Sequence, residues 1–251
     1  MLLLGLVLAQ TYRLPVGQPV TYQADMRFDG FLPILGVGQG KAEVKGTFEV
    51  LGKTTNSASA KLTAFSVTFN GEKVPIDLDD AQKYVPGGNF TFLPTGQVKS
   101  WDAPQVAAPI RVPGLDLRHL PEVLFLPIEF PDAGVEMGKG FKFSLPLSGG
   151  PAEYSVRLAG GGGSNGAGFL GFEFTVHQTF SDFEDDANQV VEEKDAAAKV
   201  VTDVVGKGEG VFSFGRFTKY SIDDVSTSSA TDLQTKRVST RKLSRHLEVT
   251  S

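Results

Sequence analysis

Apolar and polar residues alternate with a period of two through most of the chain, and this predicts strands. Val20, Tyr22, Ala24, Met26 and Phe28 alternate with polar neighbours, and Ala42, Val44, Gly46, Phe48 and Val50 repeat the pattern. Leu51-Gly52-Lys53 then reads as a turn. Ala58, Ala60, Leu62 and Ala64 share one face before the parity flips to Phe65, Val67 and Phe69. Such a slip predicts a β-bulge, because one extra residue reverses the face of every later side chain. Asn70-Gly71 follows and predicts a tight hairpin, since both residues tolerate positive φ.

Four Phe-x-Phe pairs recur: Phe90/Phe92, Phe141/Phe143, Phe172/Phe174 and Phe212/Phe214. Residues two apart in a strand share a face, so each pair places two rings on one side of a half-buried strand. Further strands are predicted over 97–101, 152–158, 217–223 and 233–249, the last long and mostly polar. Helical signals are few. Asp79 to Val85 supports a turn or two, capped by Asp77 or Asp79. Leu115 to Leu126 is Leu-rich, but Pro113, Pro121 and Pro127 keep any helix there short. Residues 184–199 fit a helix or a loop, and Gly160–Gly163 with Ser164-Asn165-Gly166 reads as a flexible loop between strands. The fold expected is all-β: a large curved antiparallel sheet or open half-barrel with one or two short helices. Residues 10–251 form one domain in this reading. Within it, 102–131 is a Pro-rich crossing between two halves of the sheet system, and 182–203 is an acidic insertion.

Composition narrows the chemistry. A chain of 251 residues can bury a core without staples. It has 29 Gly and 19 Phe, against 5 Tyr, 1 Trp and no Cys. Zero Cys excludes disulfides, thiolate nucleophiles and Cys-ligated metal centres. The net charge of −5 gives no reason to expect nucleic acid as a partner. That charge is local: residues 182–203 hold eight acids against Lys194 and Lys199, a net −6, which leaves the remainder at +1. The last strand carries Lys236, Arg237, Arg241, Lys242 and Arg245. A solvated edge that blocks strand-to-strand aggregation is the simplest role for them. An anionic headgroup and the acidic 182–203 segment are the other partners that such a face suits.

The apolar run Leu2 to Leu8 ends in Val7-Leu8-Ala9 before Gln10, which reads as a signal-peptide remnant over residues 1–9 with cleavage after Ala9. The run is short and no Lys or Arg precedes it. Export implies a periplasmic or extracellular protein. The lack of a Cys after the run excludes a bacterial lipid anchor, and no other stretch approaches 18 apolar residues, so no transmembrane segment is expected.

Motifs for catalysis do not emerge. Gly161 to Gly166 satisfies G-x-G-x-x-G, and Gly162 to Gly166 satisfies G-x-S-x-G, but a strand follows where each chemistry needs a helix. His119, His177 and His246 lack metal-ligand spacing. Asp116, His119 and Glu122 would share a face if helical, and the polar side of a short surface helix explains them. The acidic clusters Asp77/Asp79/Asp80 and Asp182/Glu184/Asp185/Asp186 lack the glycine of a calcium loop. No catalytic residue, metal or cofactor is assigned, and the chain is expected not to be an enzyme.

Two stretches carry a resemblance. One is Gly206-Lys207-Gly208-Glu209-Gly210-Val211-Phe212-Ser213-Phe214-Gly215-Arg216-Phe217 with the long polar strands after it; the other is the hairpin from Phe92 to Trp101. With the export signal, the pattern resembles uncharacterised secreted bacterial all-β proteins near the lipoprotein-carrier (LolA/LolB-like) group. The resemblance implies an open half-barrel with short helices plugging its concave side, and binding or transfer of a lipid or apolar ligand without catalysis. The chain departs from that group in its weak plugging helices and in residues 182–203, which have no counterpart. The function expected is an exported, non-enzymatic protein whose concave face binds a lipid or other hydrophobic ligand. Phe90, Phe92, Phe141, Phe143, Phe172, Phe174, Phe212 and Phe214 line that face. The alternative is a structural or interaction module of the cell envelope or a surface assembly, with a closed Phe core and an envelope protein as partner.

Overall fold

The computed structural model describes residues 7–8, 10–32, 38–104, 116–147, 149–164 and 167–251. Apart from Val7 and Leu8, the expected signal remnant lies outside the described residues, as do Pro113, Leu115, Asn165 and Gly166. In chain order the elements begin with β1 (Val7–Leu8), β2 (Pro19–Gly30), β3 (Gly40–Thr54), β4 (Ser57–Phe69) and β5 (Glu72–Val74). The helix α1 (Leu78–Tyr84), β6 (Gly88–Phe92), β7 (Val98–Trp101), β8 (Val135–Glu136) and β9 (Gly140–Leu145) follow. The long strands β10 (Ala152–Ser164), β11 (Ala167–Glu184), β12 (Ala198–Ser213), β13 (Arg216–Asp232) and β14 (Val238–Thr250) complete the chain.

One curved, unclosed antiparallel sheet dominates, in the order β7-β6-β4-β3-β2-β14-β13-β12-β11-β10-β9, with β5 beside β4. Two meanders thus meet where β2 pairs with β14; Met26 lies opposite Leu247 and Ala24 opposite Val249. Strands β7 and β9 end the path at opposite sides. A small separate ladder joins β1 to β8.

Local chemistry explains the strand boundaries. Thr47 faces Ala64 while Phe48 faces Leu62, so Thr63 is the extra residue of a bulge. Its hydroxyl donates to Thr47 O at 3.1 Å. The slip therefore begins one residue earlier than the sequence pattern suggests, and Ala64 is exposed. Asn70 and Gly71 turn with φ of 50° and 86°, as their side chains permit. Asp77 caps α1 by accepting from Asp80 N at 2.8 Å.

Three expectations need correction, and the alternative left open over 184–199 resolves as a loop. Leu51-Gly52-Lys53 is not a turn: β3 runs to Thr54 and the chain turns at Thr55-Asn56. The Gly160–Gly163 run is not a loop but the end of β10, with Gly160 opposite Gly171 and Gly163 opposite Gly168. Glycine contributes no side chain to the pattern, so the ladder there is invisible to periodicity. Residues 184–199 are strand ends and a loop with one 3-10 turn, Glu193–Asp195. Strand β14 is no edge, since it pairs with both β13 and β2. Of the partners considered for its cations, the acidic segment is the one met. Arg241 Nη1 lies 2.5 Å from Glu184 Oε2, and the guanidinium sits 4.4 Å from the Phe31 ring centre.

One face of this sheet carries the core. On β12 that face shows Gly206, Gly208 and Gly210; Gly208 makes room for the ring of Phe174 and Gly210 for that of Phe217. A Cβ on Gly208 would overlap both the Phe174 ring and the Ser221 carbonyl oxygen. Alanine normally stabilises a strand over glycine by about 0.5–1 kcal/mol. At Gly208 the overlap reverses the sign, because a backbone oxygen cannot swing away. Gly208→Ala is expected to destabilise by about 1–3 kcal/mol, lowering the melting temperature by several degrees in a thermal scan. An unchanged or raised melting temperature would contradict this packing.

Candidate ligand-binding face

The core face of the sheet is built from alternate residues of both meanders. Val20, Tyr22, Ala24, Met26 and Phe28 on β2 meet Leu243, Leu247 and Val249 on β14. Tyr220 and Ile222 on β13, Phe172 and Phe174 on β11, and Tyr154 and Val156 on β10 continue it. Seven of the eight expected phenylalanines lie on this side. Phe90, Phe92, Phe172, Phe174 and Phe212 are buried, whereas Phe141 and Phe143 on edge strand β9 are half-buried. Phe214 departs from its pair: β12 ends at Ser213, and Phe214 with Gly215 forms the turn into β13, leaving the ring 69% exposed. The spacing of two holds only while the strand lasts.

The face is covered by the chain's own segment 116–131, which lies between β7 and β8 in the sequence. It contains a 3-10 turn at Leu117–His119 and a π-helical turn at Pro121–Phe125, and it joins no ladder of the sheet among the described residues. Two of its rings do the covering. Phe125 sits 5.1 Å from Tyr22, 5.8 Å from Phe48 and 6.1 Å from Phe90, all on the first meander. Phe130 sits 5.5 Å from Phe172, 5.1 Å from Phe212 and 6.3 Å from Phe217, on the second. Leu120, Leu124, Leu126 and Ile128 are buried with them. Sequence reasoning missed Phe125 and Phe130. The unbroken apolar run Val123 to Pro127 was the available signal, but its prolines and lack of alternation hid its role.

Polar fastening of this cover is sparse. Tyr12 Oη donates to Ile128 O at 2.9 Å, Tyr220 Oη donates to Val123 O, and Phe130 N donates to Thr95 O at 2.8 Å. Burial pushes the Tyr12 and Tyr220 hydroxyls well above the ordinary phenol range, so both remain donors at any ordinary pH. The Tyr22 hydroxyl, beneath Phe125, is buried without a hydrogen-bond partner among the described residues. Six buried apolar side chains contribute on the order of 10 kcal/mol gross, against about 1 kcal/mol for each hydrogen bond. Apolar contact therefore holds the cover down.

Beyond the rings the same face turns polar. Arg245 Nε donates to Asp224 Oδ2 at 2.8 Å in a buried ion pair, with Gln178, Thr202 and Ser226 buried nearby on neighbouring strands. Burial pushes the adjacent Tyr154 hydroxyl up to about 12. The opposite face is charged and carries two open depressions of about 840 and 660 Å³, which meet at Thr175, Lys207 and Asp223. His246 lies on that face, paired to Asp223 at 2.8 Å; His177, which is exposed, pairs with Asp203 at the same distance.

Asp116 accepts from Arg118 N at 3.1 Å and lies close enough to His119 to favour its charged form. Among the described residues no group of three His, Asp or Glu could hold a metal ion, and no helix is long and apolar enough to cross a membrane.

The sequence matches no protein-family model and no curated protein. Among solved structures, the fold is similar to that of lipovitellin, in a structure concerned with lipid–protein interactions in that protein. The TM-score is 0.57 at 12% identity, over 94% of this chain and 25% of that one. The chain thus spans about a quarter of the lipovitellin chain. The likeness shows a curved, open antiparallel sheet, as expected, but does not point to the lipoprotein-carrier group in particular.

His119 supplies a test of the cover itself. Its Nδ1 lies 3.3 Å from Glu122 Oε1, and this hydrogen bond raises the imidazole pKa above its ordinary value against partial burial, which lowers it. The contact therefore stabilises the cover fully below the unfolded imidazole pKa and loses its contribution as pH rises through the folded one. In an NMR titration the His119 midpoint should fall in Glu122→Gln relative to the unmodified chain. Equal midpoints would show that the two residues do not meet.

Proposed function

We propose that this chain is an exported, non-enzymatic protein, periplasmic or extracellular, that binds a lipid or another hydrophobic ligand against the aromatic face of its sheet. One observation carries the reading: the face is covered by a segment outside the sheet's ladders, held chiefly by ring and aliphatic contacts. An acyl chain offers the same kind of contact as Phe125 and Phe130, so exchanging one for the other breaks few directional bonds. The unpartnered Tyr22 hydroxyl adds a donor that a ligand oxygen would satisfy. Lipovitellin, which shares the fold, was solved with lipid–protein interactions in view, and this supports the same class of ligand. Phe90, Phe92, Phe141, Phe143, Phe172, Phe174 and Phe212 would line the ligand, and Phe214 would not.

The completeness of the cover favours a second reading, in which Phe125 and Phe130 permanently close the core. The chain is then a structural or interaction module of the cell envelope or a surface assembly, with an envelope protein as partner. The two readings differ in whether the cover lifts.

Native mass spectrometry of protein purified without detergent, with solvent extraction and uptake of a hydrophobic dye, separates them. Bound lipid or dye uptake is expected. Tyr12→Phe and Tyr220→Phe should each raise dye uptake by roughly 5-fold, because each removes one fastening of about 1 kcal/mol. A protein that is empty and silent to dye, in both forms, overturns the binding reading and leaves the closed core.

A further inference from the structure

We propose that the start of β11 and the neighbouring Phe214-Gly215 turn dock on an anionic lipid bilayer, with Phe169 and Phe214 entering it. Phe214 is 69% exposed and Phe169 48%. Phe169 is paired with Ser213, the residue just before Phe214, so the two rings occupy neighbouring strand ends. They differ from the other phenylalanines described, which are buried or half-buried.

The backbone gives an independent reason to assign these rings a role. Phe214 has φ of 54° and Gly215 φ of 77°, a two-residue turn between paired Ser213 and Arg216. Asn, Asp or Gly suits the first turn position, and a bulky residue with positive φ is an outlier. Asn there would relieve the backbone and suit water better. A phenylalanine held in strain and pointed at solvent signals contact with something apolar.

Charge selects the partner. No charged residue occurs from Leu158 to Phe172. Beside the turn, Arg13 N donates to Gly215 O at 2.7 Å, and Arg216 closes the turn. Arg216 Nε donates to Ser251 Oγ at 3.4 Å, and neither guanidinium meets a carboxylate among the described residues. Exposed Arg13 and half-buried Arg216, both beside the Phe214 turn, fit a phospholipid surface, where phosphates meet the guanidiniums and the rings settle at the interface. Two exposed rings are a small apolar pair, which suits a deformable bilayer better than the broad patch that a protein partner needs. Phe212, two residues before Phe214, touches Phe130 of the cover at 5.1 Å, so the pair adjoins the end of the aromatic face. The docking does not depend on ligand uptake at that face.

Flotation with vesicles of phosphatidylcholine, with and without phosphatidylglycerol, tests this. The unmodified chain should float with the anionic vesicles. The double variant Phe169→Thr, Phe214→Asn should bind them about 10-fold or more weakly. It alters only exposed side chains, and circular dichroism checks its fold. Arg13→Gln with Arg216→Gln should abolish the preference for phosphatidylglycerol. Phe214→Trp should gain fluorescence that brominated lipid quenches. The proposal is overturned if the unmodified chain stays unbound with both vesicle types, or if the double variant floats equally well. A dimer that the double variant abolishes, with no vesicle binding, would assign the pair to a second copy of the chain instead.

Discussion

An unclosed sheet with one apolar face must have that face covered, and in this protein the topology supplies the cover from within the chain. The first meander ends at β7 and the second begins at β9, at opposite ends of the strand order. The chain joining them passes from one end of the sheet to the other, and its described part lies on the face that needs covering. Phe125 packs on the first half and Phe130 on the second, so a single segment spans both meanders. The glycines at 208 and 210 let the rings of Phe174 and Phe217 sink against β12.

The same constraint shapes the functional reading. Within the sheet, each strand is held by a ladder whose loss would leave backbone groups unpaired. The cover has no such ladder, and its hold comes from non-directional contact that a lipid can replace. Tyr12 and Tyr220 place it by two hydroxyl donors that burial keeps protonated. The polar end of the face, with Arg245 and Asp224 buried together, bounds the apolar region on one side. The exposed rings of Phe169 and Phe214 adjoin its aromatic end.

Much of this was legible in the alternation itself. The strands through Met26 and Phe48, the slip before Phe65, the Asn70-Gly71 turn and the Asp77 cap are each local signals with a local cause. Phe172 and Phe174 face the core because their neighbours are polar and the strand continues past them. The signal failed where side chains stop reporting backbone. Gly160–Gly163 form a ladder without a hydrophobic pattern, and Phe214 keeps the spacing of a strand after the strand has ended. The cover was illegible for a different reason. Phe125 and Phe130 follow no period, since their positions are fixed by pockets between strands distant in sequence. Tyr22, whose unpartnered hydroxyl supports the binding reading, looks like any other core position until its neighbours are known.

Hydrogen exchange read by mass spectrometry addresses most directly whether the cover is separable from the sheet. If contact alone holds residues 116–131, their amides should exchange through a local opening that leaves β2, β13 and β14 protected, and vesicle lipid should shift that opening further. Exchange of 116–131 only together with those central strands, unchanged by lipid, would mean that cover and sheet are one unit and would contradict the account.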